Sequence, residues 1–221
     1  MLREDAIPAL LAHETSEEYS CWLLPAVNQL LRLTGLSMDR ISGYAVAAGP
    51  GSFTGVRVGL TTVKAWTEVY GKPAAAVSRL EAIAAQARGG PGLIAAFVDA
   101  QRGQVFGAVY KQGGNSLMRV GEEMVIAPER FIETAAELAG GESIGWVSPD
   151  ASLITSQEGW KSREKRGEMI EQVPATLAAV IGRIGLRRLQ QSKSTDALGL
   201  DANYVRRSDA EIFWKGAAHG R

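Results

Sequence analysis

Apolar positions along the chain recur at two spacings, and the points where one spacing gives way to the other predict the elements. A short apolar run at 6–12 predicts a strand. A helix over 16–34 follows, with Ser16 as its cap and Gly35 as its stop. Residues 44–48 (Tyr-Ala-Val-Ala-Ala) predict another apolar strand, which feeds through a glycine-dense turn into a helix. That helix carries Val56, Leu60, Val63, Thr67 and Tyr70 on one face and ends at Gly71. A strand at 74–77 and a helix over 79–88 come next. Gly89-Gly90-Pro91-Gly92 cannot continue a helix and marks a boundary between an N-terminal lobe, 1–90, and a C-terminal lobe with its tail, 91–221. In the second lobe 93–99 predicts a buried strand, 100–103 a turn, 104–111 its antiparallel partner, and Gly113-Gly114-Asn115 the next turn. Helices near 128–139 and 174–191 follow, separated by a polar stretch at 156–166.

The helix over 16–34 is apolar around more of its circumference than one sheet contact requires. Tyr19, Leu23, Ala26, Leu30 and Leu33 form one stripe; Leu24, Val27 and Leu31 form another, turned about 100° from the first. One stripe can cover a sheet. The other is either internal core or a surface wanting a neighbour, whether the 56–70 helix or a second protein chain. In the 56–70 helix Gly55 and Gly59 stand four apart with Thr62 a turn later, a small-residue strip that suits either helix-on-sheet packing or close approach of another helix.

Charge narrows the partners. Lys plus Arg and Asp plus Glu are 24 each, so no net field draws in a polyanion, and strong autonomous RNA binding is disfavoured. The single cysteine, Cys21, rules out an internal disulfide framework and is expected to be a small buried hydrophobe in a reducing cytoplasm. No apolar run approaches the ~20 residues of a membrane helix, and the amino terminus lacks a signal-peptide core, so the expected location is cytoplasmic.

The run Gly49-Pro50-Gly51-Ser52-Phe53-Thr54-Gly55-Val56-Arg57-Val58-Gly59 joins strand to helix and aims backbone N–H groups at the helix start, with Ser52 or Thr54 available as caps. A Walker A loop needs Lys and Ser or Thr directly after its last glycine, where Val56-Arg57 stand; a dinucleotide fingerprint needs its third glycine at position 54. Neither motif fits.

This run resembles, nearly letter for letter, the GPGSFTG(V/L)R(I/V)G signature of the TsaB (YeaZ) family of bacterial tRNA threonylcarbamoyladenosine biosynthesis subunits. Val98-Asp99-Ala100-Gln101-Arg102-Gly103-Gln104-Val105-Phe106 is similar to that family's DARxGEVY segment, and Ala202-Asn203-Tyr204-Val205-Arg206 to its P-x-Y-L-R tail. The resemblance implies an α/β fold of the two-lobed actin/Hsp70/sugar-kinase-like (RNase H-like) kind. It also implies a TsaD paralogue as partner, the ATPase TsaE acting through the complex, a homodimer when the chain is alone, and tRNA met only indirectly. ATP and metal are then expected in the partner subunits and no cofactor on this chain. Because the family joins its first two helices to those of TsaD or of a second copy, Trp22, Ala26, Gly55, Gly59, Thr62 and Trp66 are expected at the partner surface, with Tyr204 and Arg206 as tail contacts. Members open with a strand ending in Asp-Thr-(Ser/Ala) and a second strand; this chain begins near the end of the second, so the N-terminal lobe is expected to be incomplete, with strand edges left unpaired.

The catalytic paralogue carries a metal-binding His-x-Glu-Gly-His. At the corresponding place stand Arg79-Leu80-Glu81-Ala82-Ile83, and neither a guanidinium nor an alkyl chain binds a metal. His13 and His219 are expected to be solvent-facing bystanders, and Asp99 either caps its turn or assists a metal or phosphate. Trp146, in Ile144-Gly145-Trp146-Val147, is expected at a strand end in the core, Trp160 and Trp214 at exposed contacts, and 161–166 (Lys-Ser-Arg-Glu-Lys-Arg) in a solvated loop. Two functions compete. One is a non-catalytic subunit that binds TsaD and, with TsaE, supports threonylcarbamoyl transfer to adenosine-37 of tRNA. The other is a nucleotide-dependent transferase or glycoprotease-like hydrolase with its own active site.

Overall fold

A parallel pair of strands, β1 (Tyr44–Gly49) and β2 (Ala74–Ser78), starts the architecture, with Tyr44 opposite Ala74 and Ala47 opposite Val77. This is a computed structural model that describes residues 1–2, 6–13, 18–90, 92–114, 116–193, 195–203 and 205. Two helices precede and link these strands: α1 (Tyr19–Thr34) and the crossover helix α2 (Phe53–Tyr70). Alternation along β1 sorts its side chains to two faces. Tyr44 and Val46 meet Leu60 and Val63 of α2, while Ala45 and Ala47 face the core that holds Ile181 and Ile184 of α7 (Ala178–Gln190). The backbone of α7 comes so close that a Cβ on Gly185 would stand 2.3 Å from the Cβ of Ala45.

The second sheet has the order β5-β4-β3-β6-β7. Its strands are β3 (Leu93–Asp99), β4 (Val105–Gly113), β5 (Ser116–Ile126), β6 (Ile144–Ser148) and β7 (Ile170–Gln172). β3, β4 and β5 form an antiparallel meander, and β6 and β7 add in parallel. Its outer face is covered by α4 (Pro128–Ala139), α5 (Ser152–Thr155) and α6 (Glu158–Glu164), whose Phe131, Ile154 and Trp160 join Phe97 and Trp146 in one core. Its inner face shares a core with α3 (Arg79–Ala84) and α7, which therefore lie between the two sheets. Both helix ends of α4 are as the chain composition requires: Pro128 stands at its start, and Gly140 closes it in the left-handed region at φ 59°.

Several expectations are corrected. The strand at 6–12 does not form: Ala6 makes an isolated bridge and 7–12 have no regular structure, because Pro8 offers no N–H and the Ala9 carbonyl accepts from the Met1 ammonium at 2.8 Å. Cys21 is exposed rather than buried. The basic run is a loop only at Lys165 and Arg166; residues 161–164 belong to α6, which buries Arg163, whose Nε donates to Glu168 Oε2 at 2.8 Å while Nη2 pairs with Oε1 at 2.7 Å. Trp160, expected outside, is 4% exposed and packs edge-on against Trp146, ring centres 5.6 Å apart. Tyr70 leaves the buried face of α2, and the third helix stops at Ala84. Strands β5 and β7 are unforeseen, whereas β6 forms around Trp146, which sits in the core on a strand as expected. The expectations for Ser16, Tyr204, Arg206, Trp214 and His219 concern positions outside the described residues.

Candidate functional site

The glycine-rich loop joins β1 to α2 at the carboxyl end of the parallel pair, beside the cleft between the sheets. Ser52 Oγ accepts from the Gly55 N–H at 3.4 Å, so the cap falls on Ser52, with Thr54 already inside the helix. Gly49 adopts φ +105°, a conformation that an L side chain resists, and the carbonyl oxygen of Asn203 lies 3.0 Å from where its Cβ would be. The corresponding point on Gly51 is 3.5 Å from a guanidinium nitrogen of Arg79, and that on Gly55 is 3.8 Å from the Tyr19 ring. Phe53 lies under the Arg57 guanidinium at 3.7 Å and is partly exposed. Pro50 is buried and follows a cis peptide bond.

Across the loop stands the start of α3. Ile83 is wholly buried in the core between the sheets, so its side chain faces no ligand. Burial lowers the pKa of Arg79, opposed by the nearby Tyr19 and Asp99. These residues do not fit a metal, and among the described residues no three His, Cys, Asp or Glu side chains converge as a metal site would require. Asp99 closes its own turn: Oδ1 accepts from the Gln101 N–H at 2.8 Å and Oδ2 from the Gln101 side-chain amide at 2.6 Å. That turn holds Gln101 and Arg102 at φ 62° and 58°, in the left-handed region. His13 is not a bystander, since its ring packs against Tyr19 and Trp22 with centres 4.6 and 5.0 Å away.

A polar cluster missed by sequence reasoning lines the cleft. The Glu123 side chain, 3% exposed, accepts from Ser78 Oγ at 2.6 Å, from the Tyr110 hydroxyl at 3.2 Å and from the Asn203 side-chain amide at 2.5 Å, and Arg119 lies 3.8 Å away. Ser78 Oγ also caps α3 by accepting from the Leu80 and Glu81 N–H groups. Arg188 of α7 pairs with Glu81 at 2.5 Å and donates to the Ala76 carbonyl. Burial, with the Glu123 charge beside it, pushes the Tyr110 hydroxyl far above its ordinary range. The signal available in the sequence was period two: Leu117, Arg119, Glu123 and Val125 share one face of β5, with a charge where an apolar residue is due.

The helical surface divides the residues expected there. Ala26 is 6% exposed, and a Cβ on Gly59 would touch Val46 of β1 at 3.5 Å, so both face inward. Trp66 lies half-buried against Tyr44, ring centres 5.5 Å apart, and Trp22 and Thr62 are also half-buried. The large apolar side chains that α1 and α2 expose most are Leu24, Leu33 and Val69, at 56%, 66% and 73%, with Tyr19, Phe53 and Tyr70 exposed to a lesser degree.

The family of tRNA N6-adenosine threonylcarbamoyltransferase, TsaD, matches residues 11–154. The tRNA threonylcarbamoyladenosine biosynthesis protein TsaB of Bacillus subtilis (strain 168) is 30% identical over 218 residues, covering 97% of this chain and 91% of the relative. TsaB of Escherichia coli (strain K12) is 33% identical over 156 residues, covering 69% of this chain and 64% of the relative. In structure the chain resembles YeaZ from Pseudomonas aeruginosa, with a TM-score of 0.63 at 24% identity over 84% of each chain. These likenesses place the two-sheet α/β arrangement among the actin/Hsp70/sugar-kinase-like folds. With the signature loop set at the end of β1 and the match running nearly the whole length, the chain belongs to the TsaB (YeaZ) family.

Proposed function

We propose that this chain acts in forming threonylcarbamoyladenosine on tRNA as a non-catalytic subunit. It docks on a TsaD paralogue through α1 and α2, and TsaE joins the same assembly to support transfer to adenosine-37. The observation that carries this reading is the contrast between the two candidate sites. The cleft groups are engaged with one another, whereas α1 and α2 present Leu24, Leu33 and Val69 to solvent. Large apolar side chains on two packed helices supply the non-directional surface that a helical partner needs. Tyr19 at the start of α1 sits against Gly55 at the start of α2, so Gly55 lets the two helices approach there, while Gly59 faces β1. In this reading Trp22, Thr62 and Trp66 flank the contact, and Ala26, Gly55 and Gly59 shape it from beneath. Asp99 keeps its turn in place, and tRNA and nucleotide are held by the other subunits. An isolated chain with these exposed apolar side chains also pairs with a second copy.

The test is reconstituted tRNA modification with purified TsaD and TsaE, beside co-elution of the chain with TsaD. The double variant Leu33→Arg/Val69→Arg is expected to abolish co-elution and modification together. Met169→Arg, at an equally exposed position on the second sheet's side of the molecule, is expected to leave both intact. Co-elution surviving in the double variant, or modification by the chain without TsaD, would refute the reading.

A further inference from the structure

Residues 195–203 run along the first sheet and end in the cleft. Thr195 bonds both ways with Ala74 on β2: its N–H donates at 2.9 Å, and its carbonyl accepts at 3.2 Å. Asp196 Oδ1 then accepts from the Gly199 N–H at 2.8 Å, closing a turn. Leu200 is completely buried in the core under α2, beside Leu60 and Val63. Three residues on, the Asn203 N–H donates to the Ala48 carbonyl at 2.8 Å, at the end of β1. The Asn203 side-chain amide reaches across the cleft to Glu123 on β5.

The carboxyl ends of parallel strands beside a glycine turn are where an open α/β sheet ordinarily receives a ligand. Here that position borders the chain's own strap. The Asn203 carbonyl oxygen lies 3.0 Å from where a Cβ at position 49 would stand, a tight contact for any side chain, at a φ of +105° that L side chains rarely adopt. Gly51 backs onto Arg79 and Gly55 onto Tyr19 and Ser52, while Glu123 is shared among Ser78, Tyr110 and Asn203.

We propose that the native occupant of the glycine-rich loop is this strap, residues 195–203, and that Asn203 clasps the two sheets by bonding Ala48 of one and Glu123 of the other. The first glycine of the signature then serves to admit a carbonyl of the same chain rather than a phosphate. The clasp also fixes how the face carrying α1 and α2 is oriented relative to the second sheet.

Hydrogen exchange on the full chain tests this, read by peptide in the wild type, Asn203→Ala and Glu123→Gln. Asn203→Ala removes one hydrogen bond to the carboxylate and Glu123→Gln weakens all three that it accepts, so amides of 195–203 are expected to exchange about tenfold faster in each, with α4 and β3 unchanged. Strap exchange within about twofold of wild type in Asn203→Ala would overturn the clasp. Equal loosening of α4 and β3 in that variant would overturn it too, since Asn203 would then serve general stability. In a second arm, magnesium ATP or inorganic phosphate is added to the wild type. No change over residues 49–60 is expected, and protection there by either probe would contradict an occupied loop.

Discussion

α4 and α1 are both outer helices, of 12 and 16 residues, yet α4 buries Phe131, Ile132, Ala135 and Ala139 whereas α1 buries Ala26 alone. The difference does not lie in apolar content, since α1 carries Leu at 23, 24, 30, 31 and 33. It lies in what each helix covers. α4 lies on a five-stranded sheet wide enough to take one full stripe, and Phe131 meets Trp146 edge-on there with ring centres 5.9 Å apart. α1 packs on α2, which already covers a sheet of two strands, so the second layer of helix has little left to bury against. One region completes its core from within. The other leaves Leu24, Leu33 and Val69 exposed.

That comparison breaks most severely in the finished region. Removing one member of a buried ion pair strands the other, so Glu168→Ala is expected to cost about 3–5 kcal/mol in urea unfolding. It leaves Arg163, the Trp146 indole N–H that donates to Glu168 at 2.7 Å, and the Ile144 N–H without their acceptor. The double replacement Arg163→Met/Glu168→Leu is expected to recover only the part due to the stranded guanidinium, because apolar packing substitutes for the buried pair while the Trp146 and Ile144 N–H groups stay without an acceptor. Next in size is Gly185→Ala, which drives a methyl into Ala45 and should cost about 1–3 kcal/mol by the same measurement.

Smaller still is Tyr110→Phe, which removes one hydrogen bond to Glu123 and should cost about 1 kcal/mol at neutral pH. Its pH dependence has a definite sign. The folded state holds the hydroxyl above its ordinary value of 10.0, so the neutral phenol is favoured on folding and that stabilisation is complete below pH 10. Above it the unfolded chain ionises first, and wild-type stability falls as pH climbs toward the folded value. The phenylalanine variant should show a flatter alkaline limb in thermal melts. Smallest of all is Leu33→Ser, expected to move stability by no more than about 0.5 kcal/mol because that side chain is two-thirds exposed.

Elements whose ends carry their own chemistry were legible. α2 lies between Ser52 and Gly71, α4 between Pro128 and Gly140, and β3 and β4 flank a turn closed by Asp99. What failed depends on residues far apart in sequence. β5 is an edge strand with exposed Glu122 and Met118, kinked at Gly121 with φ 75°, and only its ladder to β4 makes it a strand. Trp160 is buried because Trp146 and Glu168 wait for it and for Arg163, which composition read locally does not reveal. The apolar run at 6–12 looked like a strand because it is apolar, but Pro8 removes a rung and no ladder forms among the described residues. The glycine loop was plain from its letters. The cleft was not, since Ser78, Tyr110, Glu123, Arg188 and Asn203 come together only through the crossing of both sheets.

The central claim is that a helical face, not the cleft, is what this chain contributes to its pathway. Hydrogen exchange of the chain with and without an excess of TsaD tests it most directly. Slowed exchange confined to α1 and α2, with β4, β5 and residues 195–203 unchanged, is the predicted result. Protection centred on the cleft strands, or none anywhere while tRNA modification still depends on the chain, would contradict it.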